Sequence, residues 1–494
     1  MKKGFSNELY IKEQAKYIKE RVKNFNKLYL EFGGKLFSDL HASRVLPGYD
    51  PDVKTRLLEE LKDKIEVIIA IRAKDIATNK LNHNSGKSYE GECLNLIKKL
   101  RDKSIEVSSV AINRYIEDEN VDRFIKVLEQ NSLKVYKFLD VKGFPNDVDT
   151  ILSADGFGKN PYIKTEKPIV IVTAPGPGSG KMATALSQLY HENLNGISAG
   201  YAKFETFPVW NLDLKHEVNL AYEAATADLK DQNQIDPYHL SNYGIVAVNY
   251  NRDIESFVIL KRILDNVLGK ELYKSPTDMG VNKITSGIID EKVVREAARN
   301  EIIRRYLIEL VSSKSKGKNT EELDTLRRLM DELSLKVEDR KVLRFSREKL
   351  ADLKQKTNFI GDVTAIETGD GFIITGKDSK LMNSESAAVL NVLKYLAKLP
   401  DDLHLIDPNV LKPILDMKKN IEKDEEIQLN LEEVLVSLAA SNLYNPGAKK
   451  CLDLLPELNG LRAHKTGMLT KIDQELLKKL NIDITCEYKE HSIN

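Results

Sequence analysis

The segment that most constrains the fold runs from Pro168 to His191. Pro168-Ile169-Val170-Ile171-Val172-Thr173 is a short β-branched apolar run, the pattern of a buried strand. It passes directly into Ala174-Pro175-Gly176-Pro177-Gly178-Ser179-Gly180-Lys181, and Met182 to His191 then reads as a helix. Strand, glycine-rich turn and helix in this order form the frame of a phosphate-binding loop. The glycines let backbone N–H groups converge, the helix N-terminus adds about half a positive charge, and the lysine adds a full one. Gly176, Gly178, Ser179, Gly180 and Lys181 are therefore the candidate ligand-binding residues. The match to the P-loop template is partial. The template's first glycine falls on Pro175, and Met182 stands where a Ser or Thr would hold magnesium, with Thr184 the nearest hydroxyl. A nucleotide with magnesium is the cofactor such a frame suggests, but Met182 argues against hydrolysis by the standard P-loop route. The plainer reading of the same residues is a tight turn.

The rest of the first half alternates in the same style. Ile65–Ile71, Glu106–Ile112, Leu133–Phe138, Gly196–Phe207 and Tyr243–Tyr250 read as strands with helical patterns between most of them. This predicts a Rossmann-like α/β domain, a mostly parallel sheet with helices on its faces, over residues 1–252. Ahead of it, Ile11, Ala15, Ile18, Val22, Phe25 and Tyr29 fall on one helical face, and Gly33-Gly34 is suited to end that helix. A loop carrying Lys35, His41 and Arg44 follows, and Asp50-Pro51 opens a helix to about Lys62. From 253 to 360 the pattern becomes helical: Ile254–Leu268 after an Asp253 cap, Glu291–Leu310, Glu321–Leu335 and Ser346–Lys356, with a polar connection at Ser312–Asn319. Residues 361–494 read as a C-terminal α/β subdomain. It opens on a hairpin, Val363–Glu367 and Gly371–Thr375, followed by helices Ser384–Leu396, Asn409–Met417 and Leu431–Ser441.

In an open parallel sheet, ligands bind beyond the carboxyl ends of the strands. The exits after Lys203 and after Tyr250 place Glu205, Asp213, His216 and Arg252 on that edge, and with Lys181 they form the candidate catalytic set. His216 has the unperturbed pKa of an acid–base group, and Arg252 the fork geometry for a carboxylate or phosphate. The small-residue loop Lys274–Asn282 offers Asp278 as a candidate metal ligand, although the same residues suit an ordinary turn. Thr375–Ser379 is a second, shorter candidate anion loop, better read as a hairpin exit and helix cap.

The chain has 494 residues, enough for about three domains. Lys+Arg and Asp+Glu both number 75, a formal net charge of +0, which argues against a globally basic nucleic-acid binder. Cys93, Cys451 and Cys486 have no zinc or disulfide spacing. The expected setting is cytoplasmic, with no membrane span, and a homo-oligomer stays open.

Phe32-Gly33-Gly34-Lys35-Leu36-Phe37, His41–Gly48, Thr173–Lys181, Tyr201–Leu212, Asn219–Leu229, Asn249–Asp253 and Lys274–Asn282 together resemble a bacterial family, uncharacterised protein family 0371 with domain of unknown function 1846. The resemblance spans nearly the whole chain, with Thr78–Glu90 divergent. It implies a cytosolic bacterial protein with a mixed α/β body, a helical subdomain and a further α/β part. It brings no activity, so no catalytic residue is carried over. The residues point to an enzyme that binds a nucleotide or another phosphorylated small molecule, with phosphoryl or group transfer as the reaction class. The alternative is a non-catalytic sensor or scaffold for a phosphorylated metabolite.

Overall fold

The computed structural model of the chain describes residues 2–34, 36–82, 86–423 and 427–489. Lys35 and part of the segment Thr78–Glu90 lie outside the described residues. The chain forms two compact units, Lys2–Ala298 and Arg299–Asn494. Their boundary falls inside the helix Glu291–Lys316. Among the described residues, no helix is long and apolar enough to cross a membrane.

The first unit is built on six parallel strands: β1 (Lys27–Phe32), β2 (Ile65–Arg72), β3 (Val107–Asn113), β4 (Lys134–Lys137), β5 (Ile169–Thr173) and β6 (Ala199–Phe204). Their spatial order is β4-β3-β2-β5-β1-β6. The parallel α/β sheet expected from the alternation is present. β5 is fully buried, as its apolar run requires.

β1 overturns one expectation. The helix ends at Val22, and Lys27–Phe32 is a strand between β5 and β6. Leu28, Leu30 and Phe32 repeat every two residues, the strand period, while Phe25 and Tyr29 happen to continue the helical spacing. All six residues are buried, including Lys27 and Glu31, because each charge finds an internal partner. Lys27 Nζ bonds Glu192 Oε1 at 2.6 Å, and Tyr201 Oη donates to Glu31 Oε2 at 2.7 Å.

The order of strands creates a switch point. The chain leaves β1 towards β2, β3 and β4, returns to β5 between β2 and β1, and then continues past β1 to β6. Connections thus leave the neighbours β5 and β1 in opposite directions, and their carboxyl ends open the crevice where such sheets bind ligands. Helix Lys181–Leu194, which follows β5, packs one sheet face with Leu186 and Leu189 against Tyr29, Val170 and Tyr201. Helix Asn251–Leu268 joins the same core through Phe257, Ile263 and Leu264.

β8 (Val248–Tyr250) is a second correction. It lies outside the parallel sheet and pairs antiparallel with β7 (Asn233–Ile235). Three residues are too few to span the sheet, and Gly244 in a left-handed conformation ends a helix, Pro237–Tyr243, where the strand was expected to begin.

The second unit holds a mixed sheet of β9 (Val363–Glu367), β10 (Ile373–Lys377), β11 (Arg462–Lys465) and β12 (Asp483–Cys486), in the order β10-β9-β11-β12. The hairpin β9–β10 matches the expectation. The polar connection expected at Ser312–Asn319 is helical through Lys316. Asp378 accepts from Asp362 N at 2.7 Å and Ser384 N at 2.6 Å, so the shorter anion-loop candidate is a cap.

Candidate functional site

The turn after β5 is shaped by its glycines. Gly178 and Gly180 hold φ of +71° and +87°, a region L-residues with a Cβ avoid, and Gly180 is the N-cap of helix Lys181–Leu194. Among the described residues, no side chain caps this helix. Among the described residues, none accepts a hydrogen bond from the backbone N–H groups of Gly178 to Ala183. Lys181, the first helical residue, forms no ion pair with any described residue. Such a helix start leaves its donors for an anion or water.

The turn is pinned from below. Asn113, the last residue of β3, donates from Nδ2 to Ser179 O at 2.8 Å and Thr184 Oγ1 at 3.0 Å. Thr184 is buried, and its hydroxyl donates to Gly180 O at 3.0 Å. Ser179 Oγ turns back to Gly176 O at 2.7 Å. Two of the hydroxyls expected to meet a ligand therefore hold the loop, and only the backbone of Ser179 remains to bind. Tyr89 packs on Gly176, so the start of helix Tyr89–Asp102 borders the turn.

At the ends of β1 and β6 stands a charged cluster. Lys203 Nζ lies 2.9 and 2.8 Å from the two oxygens of Asp253 and 3.2 Å from Glu205 Oε1. Burial alone would lower the Lys203 ammonium pKa, but Asp253, Glu205 and Glu31 raise it above the ordinary lysine value. Burial pushes the Glu205 carboxyl up; Lys203 pulls it back, and Asp253 and Glu31 add to the rise. Gly33 makes room for this group, since a Cβ there would lie 2.5 Å from Glu205 Cγ. Beside it, Lys54 Nζ meets Asp39 at 2.8 Å; burial raises that carboxyl, and Lys54 holds it below the usual carboxylate range. His41 stands edge-on to Phe207 and Tyr222, both at 5.4 Å.

The exits expected to share a cleft do so in part. A cavity of about 50 Å³ is lined by Lys203, Glu205, Phe207 and Trp210, by Asn249 and Asp253, and by Thr277 and Asn282. Gly280 forms a parallel bridge to Lys203, and Val281 N donates to Lys203 O at 3.1 Å, which ties the loop 274–282 to β6. The residues of the turn 174–181 are not among those lining it.

The other singled-out residues lie elsewhere. His216 caps helix Glu217–Ala225, its Nδ1 accepting from Val218 N at 3.1 Å, and its Nε2 faces Glu291. Asp213 is exposed. Arg252, itself exposed, pairs with the buried Asp231 at 3.1 Å. Asp278 Oδ2 accepts from Ser275 N at 3.0 Å and Tyr243 Oη at 2.9 Å within a capping box. Among the described residues, no group of three His, Cys, Asp or Glu side chains is placed to hold a metal ion.

Sequence reasoning gave Gly33 and Asn113 no role at the site, and named Lys203 only as the bound of a strand exit and Asp253 only as such a bound and a helix cap. Asn113 had a usable signal, a polar residue just past an apolar strand on the ligand edge. Lys203 and Glu205 also stood two apart at the end of a strand, which puts them on one face.

The family model described as domain of unknown function DUF1846, N-terminal, matches residues 3–334, and the C-terminal model of the same family matches 338–493. The chain is similar to proteins named UPF0371. One from Clostridium botulinum (strain Alaska E43 / Type E3) is 52% identical over 490 residues, covering 99% of this chain and 98% of the relative. One from Fusobacterium nucleatum is 51% identical over 497 residues, with the same coverage of 99% and 98%. One from Clostridium tetani is 51% identical over 498 residues, covering 100% and 99%.

Proposed function

The chain belongs to the DUF1846 family, and from the geometry of its ligand edge we propose that it binds a phosphorylated small molecule at the turn Ala174–Lys181. The observation that carries this reading is the uncapped start of helix Lys181–Leu194, with its N–H groups unclaimed among the described residues and Lys181 beside them. The turn sits at the end of β5, at the switch in chain direction. Two left-handed glycines open it, and Asn113 fixes it in place.

The ligand class favoured is a phosphorylated metabolite over a magnesium nucleotide. Met182 carries no oxygen, and Thr184 spends its hydroxyl inside the loop. Glu205 is the one member of the expected acid–base set that remains on the edge unpaired with a structural cap. His216 serves a helix cap, and Arg252 an ion pair with the buried Asp231. These placements favour binding, with any group transfer resting on Glu205 and Lys181.

Thermal shift tests the reading with inorganic phosphate, ATP, ADP and sugar phosphates, with and without magnesium. A ligand at about 100 times its Kd stabilises the native state by about 2.7 kcal/mol. Without ligand, Lys181→Ala should change stability by no more than about 0.5 kcal/mol. With the best ligand it should weaken affinity about 10- to 100-fold, the worth of a hydrogen bond to a charged group. Unchanged affinity in the variant would reduce the loop to a turn.

A further inference from the structure

We propose that the cavity walled by Lys203, Glu205, Phe207, Trp210, Asn249 and Asp253 takes a protonated amine of the same small molecule, with Glu205 as its hydrogen-bond acceptor. This rests on the phosphate-binding reading and names the ligand's second recognition group.

Charge is the first argument. One ammonium, Lys203, stands between two carboxylates, Asp253 and Glu205. The wall therefore carries one formal negative charge in excess. Glu31 adds another behind it, its Oε2 held by Tyr201. A second cation in the cavity balances this set, and it relieves the electrostatic push that Asp253 and Glu31 exert on Glu205.

The hydrogen-bond inventory is the second. Most donors on the wall are already spent. Asn282 Nδ2 donates to Glu205 O at 2.7 Å, Trp210 Nε1 to Asn282 O at 3.2 Å, and the Thr277 hydroxyl to Asp236 at 2.6 Å. Asn249 Oδ1 accepts from Tyr250 N at 3.0 Å. Among the described residues, no donor is found for Glu205 Oε2. A site with a spare charged acceptor recognises a donor, and an ammonium is the donor that also supplies charge.

Size and position complete the case. The cavity's about 50 Å³ exceeds the roughly 10–15 Å³ that a single water needs, so it admits a small head group. Glu205 leans over the end of β1 because Gly33 has no side chain. The exits of β5 and β6 are two strand spacings apart, about 10 Å. One small molecule can place its phosphate at Lys181 and its amine at Glu205.

The test compares glucosamine 6-phosphate with glucose 6-phosphate, which differ by an amine for a hydroxyl, on the full chain by calorimetry. Inorganic phosphate is the third probe. Wild-type protein should bind the amine compound at least about tenfold more tightly than the hydroxyl compound. Glu205→Gln, which keeps the shape of the side chain, should erase that preference. Lys181→Ala should weaken all three. Equal binding of the two sugar phosphates, with both dependent on Lys181, overturns the amine site and leaves the phosphate site standing. A preference that survives in Glu205→Gln also overturns it. Glu205-dependent amine binding that ignores Lys181 overturns the phosphate reading instead, and no binding of any probe overturns both. A circular-dichroism melt of Glu205→Gln close to wild type confirms that the variant is folded.

Discussion

Lys27→Met should destabilise the first unit by about 3–5 kcal/mol, the usual cost of removing one partner from a buried ion pair. Lys27 donates from Nζ to Glu192 Oε1 at 2.6 Å and to Thr165 Oγ1 at 2.8 Å. Glu192 is fully buried and also accepts from Tyr29 Oη at 2.8 Å and Tyr162 Oη at 3.1 Å. Without Lys27, two neutral hydroxyls remain around a carboxylate that has no access to water. The pair joins β1 to the helix that begins at Lys181, so its loss also loosens the support of the ligand loop. Denaturant unfolding followed by tryptophan fluorescence checks this, because Trp210 is the chain's single tryptophan and lies in the first unit. The double variant Lys27→Met with Glu192→Gln should recover part of the loss, since the buried charge is gone. A single variant whose midpoint stays at the wild-type value would contradict the account of β1.

Gly180→Ala should cost more than Gly178→Ala and should abolish ligand binding at the turn. Both glycines have positive φ, and a left-handed alanine costs roughly 1–2 kcal/mol at either site. At Gly178 a Cβ meets nothing within 4 Å. At Gly180 it would lie 2.8 Å from Cγ and Nδ2 of Asn113, the side chain that holds Ser179 and Thr184. Gly180→Ala therefore displaces the group that fixes the loop as well as straining the backbone. The difference between the two variants, read from thermal melts and from titration with the best phosphorylated ligand, isolates that contact. Equal effects would show that Asn113 does not organise the turn.

The elements that sequence made legible are those with local signals. The strand, turn and helix around Thr173–Lys181 needed no distant partner, and neither did the hairpin at Thr368–Asp370. β1 was hidden because its charged residues resemble a solvated helix face. Lys27 and Glu31 are buried only because Glu192 and Tyr201, far along the chain, receive them. With β1 unread, Gly33-Gly34 looked like a helix terminus, and the close approach of Glu205 to that glycine had no basis in sequence. His216 was similarly opaque: the carboxylate that faces it, Glu291, is 75 residues away. β8 was over-extended because an apolar run of three residues merges with a preceding helix end. Sequence alone placed Lys181 and Glu205 just beyond or at strand ends, as the structure has them. The division of labour on that edge, loop support by Asn113 and charge balance by Lys203 and Asp253, depends on tertiary neighbours that no local pattern encodes.

The central claim is that backbone donors at the start of helix Lys181–Leu194 hold a phosphate. Its most direct measurement is an amide ¹H–¹⁵N titration of the deuterated full chain with the phosphorylated compound that stabilises it most. The account predicts saturable shifts at the amides of Gly178, Ser179, Gly180 and Lys181, with an affinity that falls in Lys181→Ala. Saturable binding with those four amides unmoved would place the ligand elsewhere and contradict the account.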